Sequence, residues 1–205
     1  MGIAERKNLE KQNIRKLILK AAMELFLEEG FEKVLIRRIA EKIEYSPATI
    51  YLYFKNKDEI LYTLASIGFE NLNNMKRELQ SIKDPLKRLR QRARIYVAFA
   101  LKNPEFYDLM FIMRVPPKQM NEKKKWEKGL HSYEMLEENV KECIQAGYLV
   151  TSDVEAATFA LWSFVHGIAS LIIRDRAIML PREHLNAIIE RSLDFVMESM
   201  IKKKK

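Results

Sequence analysis

Apolar residues recur at intervals of three and four along almost the whole chain, the spacing of one face of an α-helix. The first run is Ile14, Leu17, Ile18, Ala21, Leu25 and Phe26, which predicts a helix from about Asn8 to Glu29. Gly30 follows in the position of a left-handed C-terminal cap, and Phe31 can fold back onto the stripe. Ile36, Ile39, Ala40 and Ile43 fall at i, i+3, i+4 and i+7 and predict a short second helix, with Arg37, Arg38, Glu41 and Lys42 outside. Glu44 and Tyr45 then make a tight turn. Ser46-Pro47 is an N-cap serine followed by proline at the first helical position. A third helix therefore runs from Pro47 to about Tyr53, with Ile50 and Phe54 inward. Asn56 with Glu59 reads as a capping box opening a fourth helix, which continues through Leu61, Leu64, Phe69 and Leu72 towards Leu79.

The remainder carries the same period. Asp84-Pro85 starts a helix through Leu89, Tyr96 and Phe99, and Asn103-Pro104 starts one through Tyr107, Met110 and Phe111. Pro116-Pro117 breaks the chain, and a long charged helix runs from about Lys118 to Ala146, closed by Gly147. Asp153 caps an apolar helix reaching Arg174. Pro181 opens the last helix, whose stripe is Leu185, Ile188, Ile189, Ser192, Leu193, Val196 and Met200. No segment alternates β-branched and polar residues between turn signals. The predicted fold class is all-α with about nine helices: a three-helix helix-turn-helix domain over residues 1–56 and a larger helical domain over 57–205.

Composition changes this picture little. Six Gly and six Pro leave few turns. The net charge of +8 points to a polyanionic partner, but half of it lies in the tail from Lys202 to Lys205. The first 60 residues are nearly balanced, with 12 basic and 10 acidic side chains. Charge alone therefore makes no case for DNA. Cys143 is the sole cysteine, so no disulfide framework or cysteine-based zinc site forms within one chain, as suits a reducing cytosol. The N-terminus is charged and lacks an apolar h-region, and the expected location is cytoplasmic. Ala156 to Ile173 contains no Asp, Glu, Lys or Arg, the lower edge of a bilayer span. It holds Thr158, Ser163, His166 and Ser170, and Glu155 and Arg174-Asp175-Arg176 bracket it, so it reads as a core or dimer helix and not as a membrane span.

Two short helices joined by a tight turn, the second capped and barely two turns long, make a helix-turn-helix. Its last helix enters the major groove. Pro47, Ala48, Thr49, Tyr51, Leu52 and Tyr53 lie on the exposed side. Small residues at its start permit close approach to base edges, and Thr49 can meet a base, a phosphate or a thymine methyl. Tyr51 and Tyr53 can reach phosphates through their hydroxyls. Lys57 places charge beside a helix N-terminus, itself an anion site. The alternative is a purely structural turn and helix, with Ser46 only a cap and Arg37, Arg38 and Lys57 on a solvated face.

Residues 14–61 resemble the TetR family of bacterial regulators. The matching positions are Ala22, Leu25, Phe26, Gly30 and Phe31, then Ile39-Ala40, then Ser46 with Thr49-Ile50-Tyr51, Tyr53-Phe54 and Lys57. In the second domain, residues 103–111 and Leu161-Trp162-Ser163-Phe164-Val165-His166-Gly167-Ile168-Ala169 resemble the C-terminal type marked by Trp, His and Gly in one helix. Two positions depart from the family pattern. Leu35 stands where Ser or Thr usually caps the second helix, and Glu44 where the turn often has Gly. The first departure removes a common phosphate contact and shifts that role to Arg37 and Arg38. The resemblance implies a homodimer on double-stranded, near-palindromic operator DNA, usually repressing, with a small ligand in the C-terminal domain that shifts the two recognition helices. The DNA-binding residues are then Arg37, Arg38, Ser46, Pro47, Ala48, Thr49, Tyr51, Tyr53 and Lys57.

Tyr96, Phe99, Tyr107, Met110, Phe111, Phe159, Trp162 and His166 are the candidate lining for a hydrophobic effector, the alternative being plain core. Ala160, Ser163, Gly167 and Ser170 would let a partner helix approach, and with Ile189, Leu193 and Val196 they form the candidate dimer interface. No Gly-rich phosphate loop, nucleophile elbow or metal spacing is present, so no enzymatic activity, cofactor or metal is expected. Two rival readings remain: a regulator without an effector, and a helical carrier of an apolar ligand.

Overall fold

The structure, a computed structural model, describes residues 2–113 and 127–202. Nine α-helices occur among them: α1 (Ile3–Glu29), α2 (Ile36–Lys42), α3 (Pro47–Tyr51), α4 (Lys57–Met75), α5 (Pro85–Lys102), α6 (Pro104–Tyr107), α7 (Glu127–Gln145), α8 (Val154–Ile173) and α9 (Leu185–Ser199). The described residues are all-α, as the periodicity predicts. The expected break at Pro116-Pro117, the start of the charged helix at Lys118 and tail residues Lys203 to Lys205 lie outside the described residues.

Boundaries differ where burial gives no signal. α1 starts five residues before the predicted point, because exposed Glu5 accepts the Gly2 amide at 2.7 Å and supports the first turn. α4 ends at Met75 and passes into a 3-10 turn over Arg77–Ser81. α6 runs into a π-helical turn over Asp108–Ile112.

The described residues form two compact units. One contains the chain to Phe69 and the stretch from Glu105; the other contains Glu70–Pro104 and the stretch from Lys128. The sequence division after residue 56 places all of α4 in the second domain. Ile60, Leu61, Leu64 and Ala65 of α4 instead bury themselves in the first core, which is why the first unit extends to Phe69.

That core joins Ile18, Ala22, Leu25 and Phe26 of α1 to Ile39 and Ala40 of α2, Ile50 of α3, Phe54 and Leu109. Fully burying each large side chain is worth roughly 1.5–3 kcal/mol, enough to hold helices as short as α2 and α3, which would not persist alone. Phe31 meets Phe26 edge-on at 5.2 Å between ring centres. Gly30 has positive φ with extended ψ (84°, 145°), not the left-handed cap expected, but still a conformation suited to glycine. Gly68 lets the 106–110 segment close onto α4: a Cβ there would overlap Met110 Sδ.

In the second unit α5 packs against α8 and α9. Asp84 Oδ1 caps α5 by accepting the amides of Leu86 and Lys87 at 2.9 and 3.1 Å. Leu89, Val140, Cys143, Leu149, Ala157, Leu161 and Met197 form a core there. Arg94 ties α5 to α9, donating to Glu190 at 2.6 Å and Asp194 at 2.5 Å. Burial pushes the Cys143 thiol up to about 11.

Candidate DNA-binding surface and effector-site residues

The turn between α2 and α3 sets the recognition helix. Glu44 adopts φ 58°, the left-handed conformation at the position where the family often has glycine. Ser46 Oγ accepts the Thr49 amide at 3.2 Å and lies 3.0 Å from the Thr49 hydroxyl. The cap predicted for Ser46 is therefore present, and Thr49 closes against it. Pro47 and Ala48 are exposed, Tyr51 is 56% exposed and Leu52 78%, while Ile50 is buried beneath them. Tyr53 turns partly inward and packs against the first core.

The flanking cations are engaged to different degrees. Arg37 lies outward beside Glu41 at 3.2 Å. Arg38 meets Glu29 at 3.3 Å and Glu41 at 4.0 Å. These are exposed pairs of low energy that a phosphate can displace. Lys57 is held differently. Its Nζ donates to the Phe31 carbonyl at 2.7 Å and to that of Glu32 at 3.3 Å, and sits 4.3 Å from the Phe31 ring centre. It clamps the segment after α1 to the first turn of α4. The capping box at α4 is offset by one residue: Asn56 Oδ1 accepts the Glu59 amide at 2.9 Å, and Glu59 accepts the amide of Lys55 at 2.6 Å. Two exposed neighbours of this surface escape the sequence reading, Tyr45 and Lys55. Neither lies on a periodic stripe. An open groove of about 530 Å³ runs between Tyr45 and the first half of α1, lined also by Leu9, Asn13 and Ile14.

The candidate effector residues divide between the units. Tyr107, Met110 and Phe111 belong to the first, where Phe111 packs edge-on against Phe69 at 5.6 Å. Tyr96, Phe99, Trp162 and His166 belong to the second. There the Tyr96 hydroxyl lies 2.9 Å from His166 Nε2. Trp162 meets His166 edge-on at 4.6 Å and Tyr133 at 5.9 Å. Burial lowers the His166 pKa to about 4, so the ring is neutral near pH 7. Phe159 differs from the expectation: it lies on the outer face of α8, 57% exposed, because its neighbours Ala157, Thr158 and Leu161 occupy the buried face.

The candidate dimer residues also separate. Ala160, Ser163 and Gly167 line the outer side of α8, and Ser170 is half-buried. Ile189 and Leu193 of α9 are buried within their own unit, and Val196 is half-buried. Outward apolar residues in this part of the chain include Phe159, Leu171, Ile178, Met179 and Phe195. The stripe on α9 correctly locates a buried face but cannot say which chain buries it. Among the described residues only α8 is long and apolar enough to cross a bilayer. No cluster of three His, Cys, Asp or Glu side chains there could hold a metal.

Sequence reasoning misses two buried cations in the second unit. Lys76 and Arg92 are each only 6% exposed. Lys76 Nζ donates to Ser132 Oγ at 3.0 Å, and Arg92 Nε to Asn139 Oδ1 at 3.4 Å. Burial, then the nearby charge of Arg92, lowers the Lys76 pKa to about 7. Burial, then Arg88, lowers that of Arg92 to about 10.

The sequence pattern described as "Bacterial regulatory proteins, tetR family" matches residues 18–63. The pattern described as "Tetracyclin repressor-like, C-terminal domain" matches residues 89–196, more than half of the chain. The HTH-type transcriptional regulator AcrR of Shigella flexneri is 24% identical over 162 residues, covering 72% of each protein. The fold is shared with the TetR family transcriptional regulator PfmR from Thermus thermophilus (TM-score 0.70, 21% identity, 88% of this chain and 97% of that one). It is also shared with the transcriptional regulator FadR from Bacillus subtilis in complex with stearoyl-CoA (TM-score 0.71, 19% identity, 89% and 97%). A capped recognition helix presenting small and aromatic residues, and two family patterns that together reach from α1 to α9, lead to one assignment: the chain belongs to the TetR family and is a DNA-binding transcriptional regulator.

Proposed function

We propose that this regulator is a homodimeric repressor that leaves a near-palindromic operator when a small hydrophobic or amphipathic effector binds its second compact unit. The observation that carries the DNA half of this reading is the outward face of α3. Pro47 and Ala48 keep its start thin, Tyr51 and Leu52 project furthest, and Ser46 and Thr49 fix the first turn. That face suits base edges, while Arg37 and Arg38 on α2 suit the phosphates beside them. The dimer half rests on α8, whose exposed side combines small residues with Phe159 and Leu171. This favours close helix approach, and Phe195 of α9 adds apolar area. Two recognition helices in such a dimer would meet half-sites about 34 Å apart. The effector half rests on Tyr96, Trp162 and His166, whose rings offer apolar faces and a polar edge. A solved relative of the same fold carries stearoyl-CoA, which favours an acyl-type effector.

The deciding experiment is fluorescence anisotropy on the promoter regions flanking the gene, in a salt series with random DNA as competitor. The reading requires one near-palindrome bound about 10³-fold or more tightly than random DNA, and its release by an added apolar compound. Equal, steeply salt-dependent binding to all DNA would leave no specific operator there, and specific binding that no compound shifts would remove the effector.

A further inference from the structure

We propose that the second compact unit binds an anion on Lys76 and Arg92, so that the effector is an amphipath with a carboxylate or phosphate head. This rests on the effector reading above and adds the charge of the ligand.

A buried ammonium or guanidinium loses its hydration and is normally matched by a carboxylate. Lys76 and Arg92 are both buried, and among the described residues no carboxylate comes within ion-pair distance of either. The nearby cation Arg88 is already matched by Glu142 and the Ile82 carbonyl. The two unmatched cations also repel each other. Their described hydrogen bonds are to neutral groups, Ser132 and Asn139, on the inward side of α7. Asn139 is itself fixed by donating to the Pro85 carbonyl at 2.9 Å. This leaves donors in excess. Arg92 Nη1 is buried with no partner. Ser132 accepts from Lys76 and keeps its own hydroxyl proton to give.

An anion resolves these deficits together. It neutralises the mutual repulsion of Lys76 and Arg92, accepts from Nη1, and holds Lys76 protonated. A neutral ligand can accept from Nη1 but leaves the two charges unmatched, and a cationic one adds to their repulsion. Tyr96, one turn after Arg92 on α5, continues the same inward stripe towards Trp162 and His166 and supplies apolar surface for the rest of the ligand.

The test uses the full-length protein and three ten-carbon probes, decanoate, decyl phosphate and decanol, with binding measured by calorimetry and operator release by anisotropy. One of the anionic probes should bind about 10- to 100-fold more tightly than decanol, and the better of the two identifies the head group. Lys76→Met and Arg92→Met should each reduce that preference and together abolish it, with decanol binding unchanged. Circular dichroism confirms folding, and Lys76→Met alone suffices if the double variant does not fold. Equal affinity for all three probes, or a preference that survives both substitutions, overturns the anion site and leaves the apolar effector standing. Failure of all three to bind overturns both.

Discussion

Glu44 holds a left-handed φ of 58° in the turn before the recognition helix, a conformation that costs a side-chain-bearing residue about 1 kcal/mol or more. Glu44→Gly should therefore raise the unfolding free energy by about 1 kcal/mol in urea titration, with operator affinity unchanged. His166 sets a pH dependence. An unperturbed histidine titrates near 6.5, and burial lowers this one to about 4. Between those values the unfolded chain takes up a proton that the folded chain refuses. The resulting stability is complete above pH 6.5 and is lost as pH falls towards 4, up to about 3 kcal/mol. Denaturation of the parent and of His166→Asn across that range should show a smaller loss in the variant. Lys76 and Arg92 mark what can be read from residues alone and what cannot. Arg92 lies three residues after Leu89 and four before Tyr96, and Lys76 four after Leu72, so both stand on apolar stripes. The spacing is legible, but a cation on such a stripe reads as exposed, because few cations are buried without a carboxylate.

At the scale of elements, stripes and caps locate the helices well, since each rests on a local cause: Ser46 before Pro47, Asp84 before Pro85 and Asp153 before Val154 all accept amides of the first turn. The faces are harder. The pattern cannot distinguish a side chain buried by its own unit, such as Leu193, from one left exposed, such as Phe195. Lys57 matches the family by type, and its clamp onto Phe31 depends on a contact 26 residues away. This separates two substitutions that the sequence would group. Tyr51→Ala should weaken operator binding by about tenfold or more with unchanged thermal stability. Lys57→Met should first cost stability, about 1–3 kcal/mol, because it leaves the Phe31 carbonyl without its donor. Melting curves beside binding isotherms separate the two.

At the scale of the whole molecule, the proposed dimer turns on α8. One side buries Ala157, Leu161, Val165 and Ala169 in its own unit, and the other presents Ala160, Ser163 and Gly167. No Cβ added at Gly167 would meet a neighbour among the described residues. Gly167→Trp should then fold normally yet sediment as a monomer and lose cooperative operator binding; a dimer of unchanged strength would move the interface elsewhere. The buried thiol has a practical consequence. Cys143 is fully enclosed, and its pKa of about 11 leaves almost no thiolate at neutral pH. The native chain is therefore silent towards maleimide dyes. A cysteine introduced at exposed Ala48 would be the sole site of labelling on each chain, which would allow the separation of the two α3 helices in the proposed dimer to be followed by distance-dependent fluorescence without removing the native cysteine.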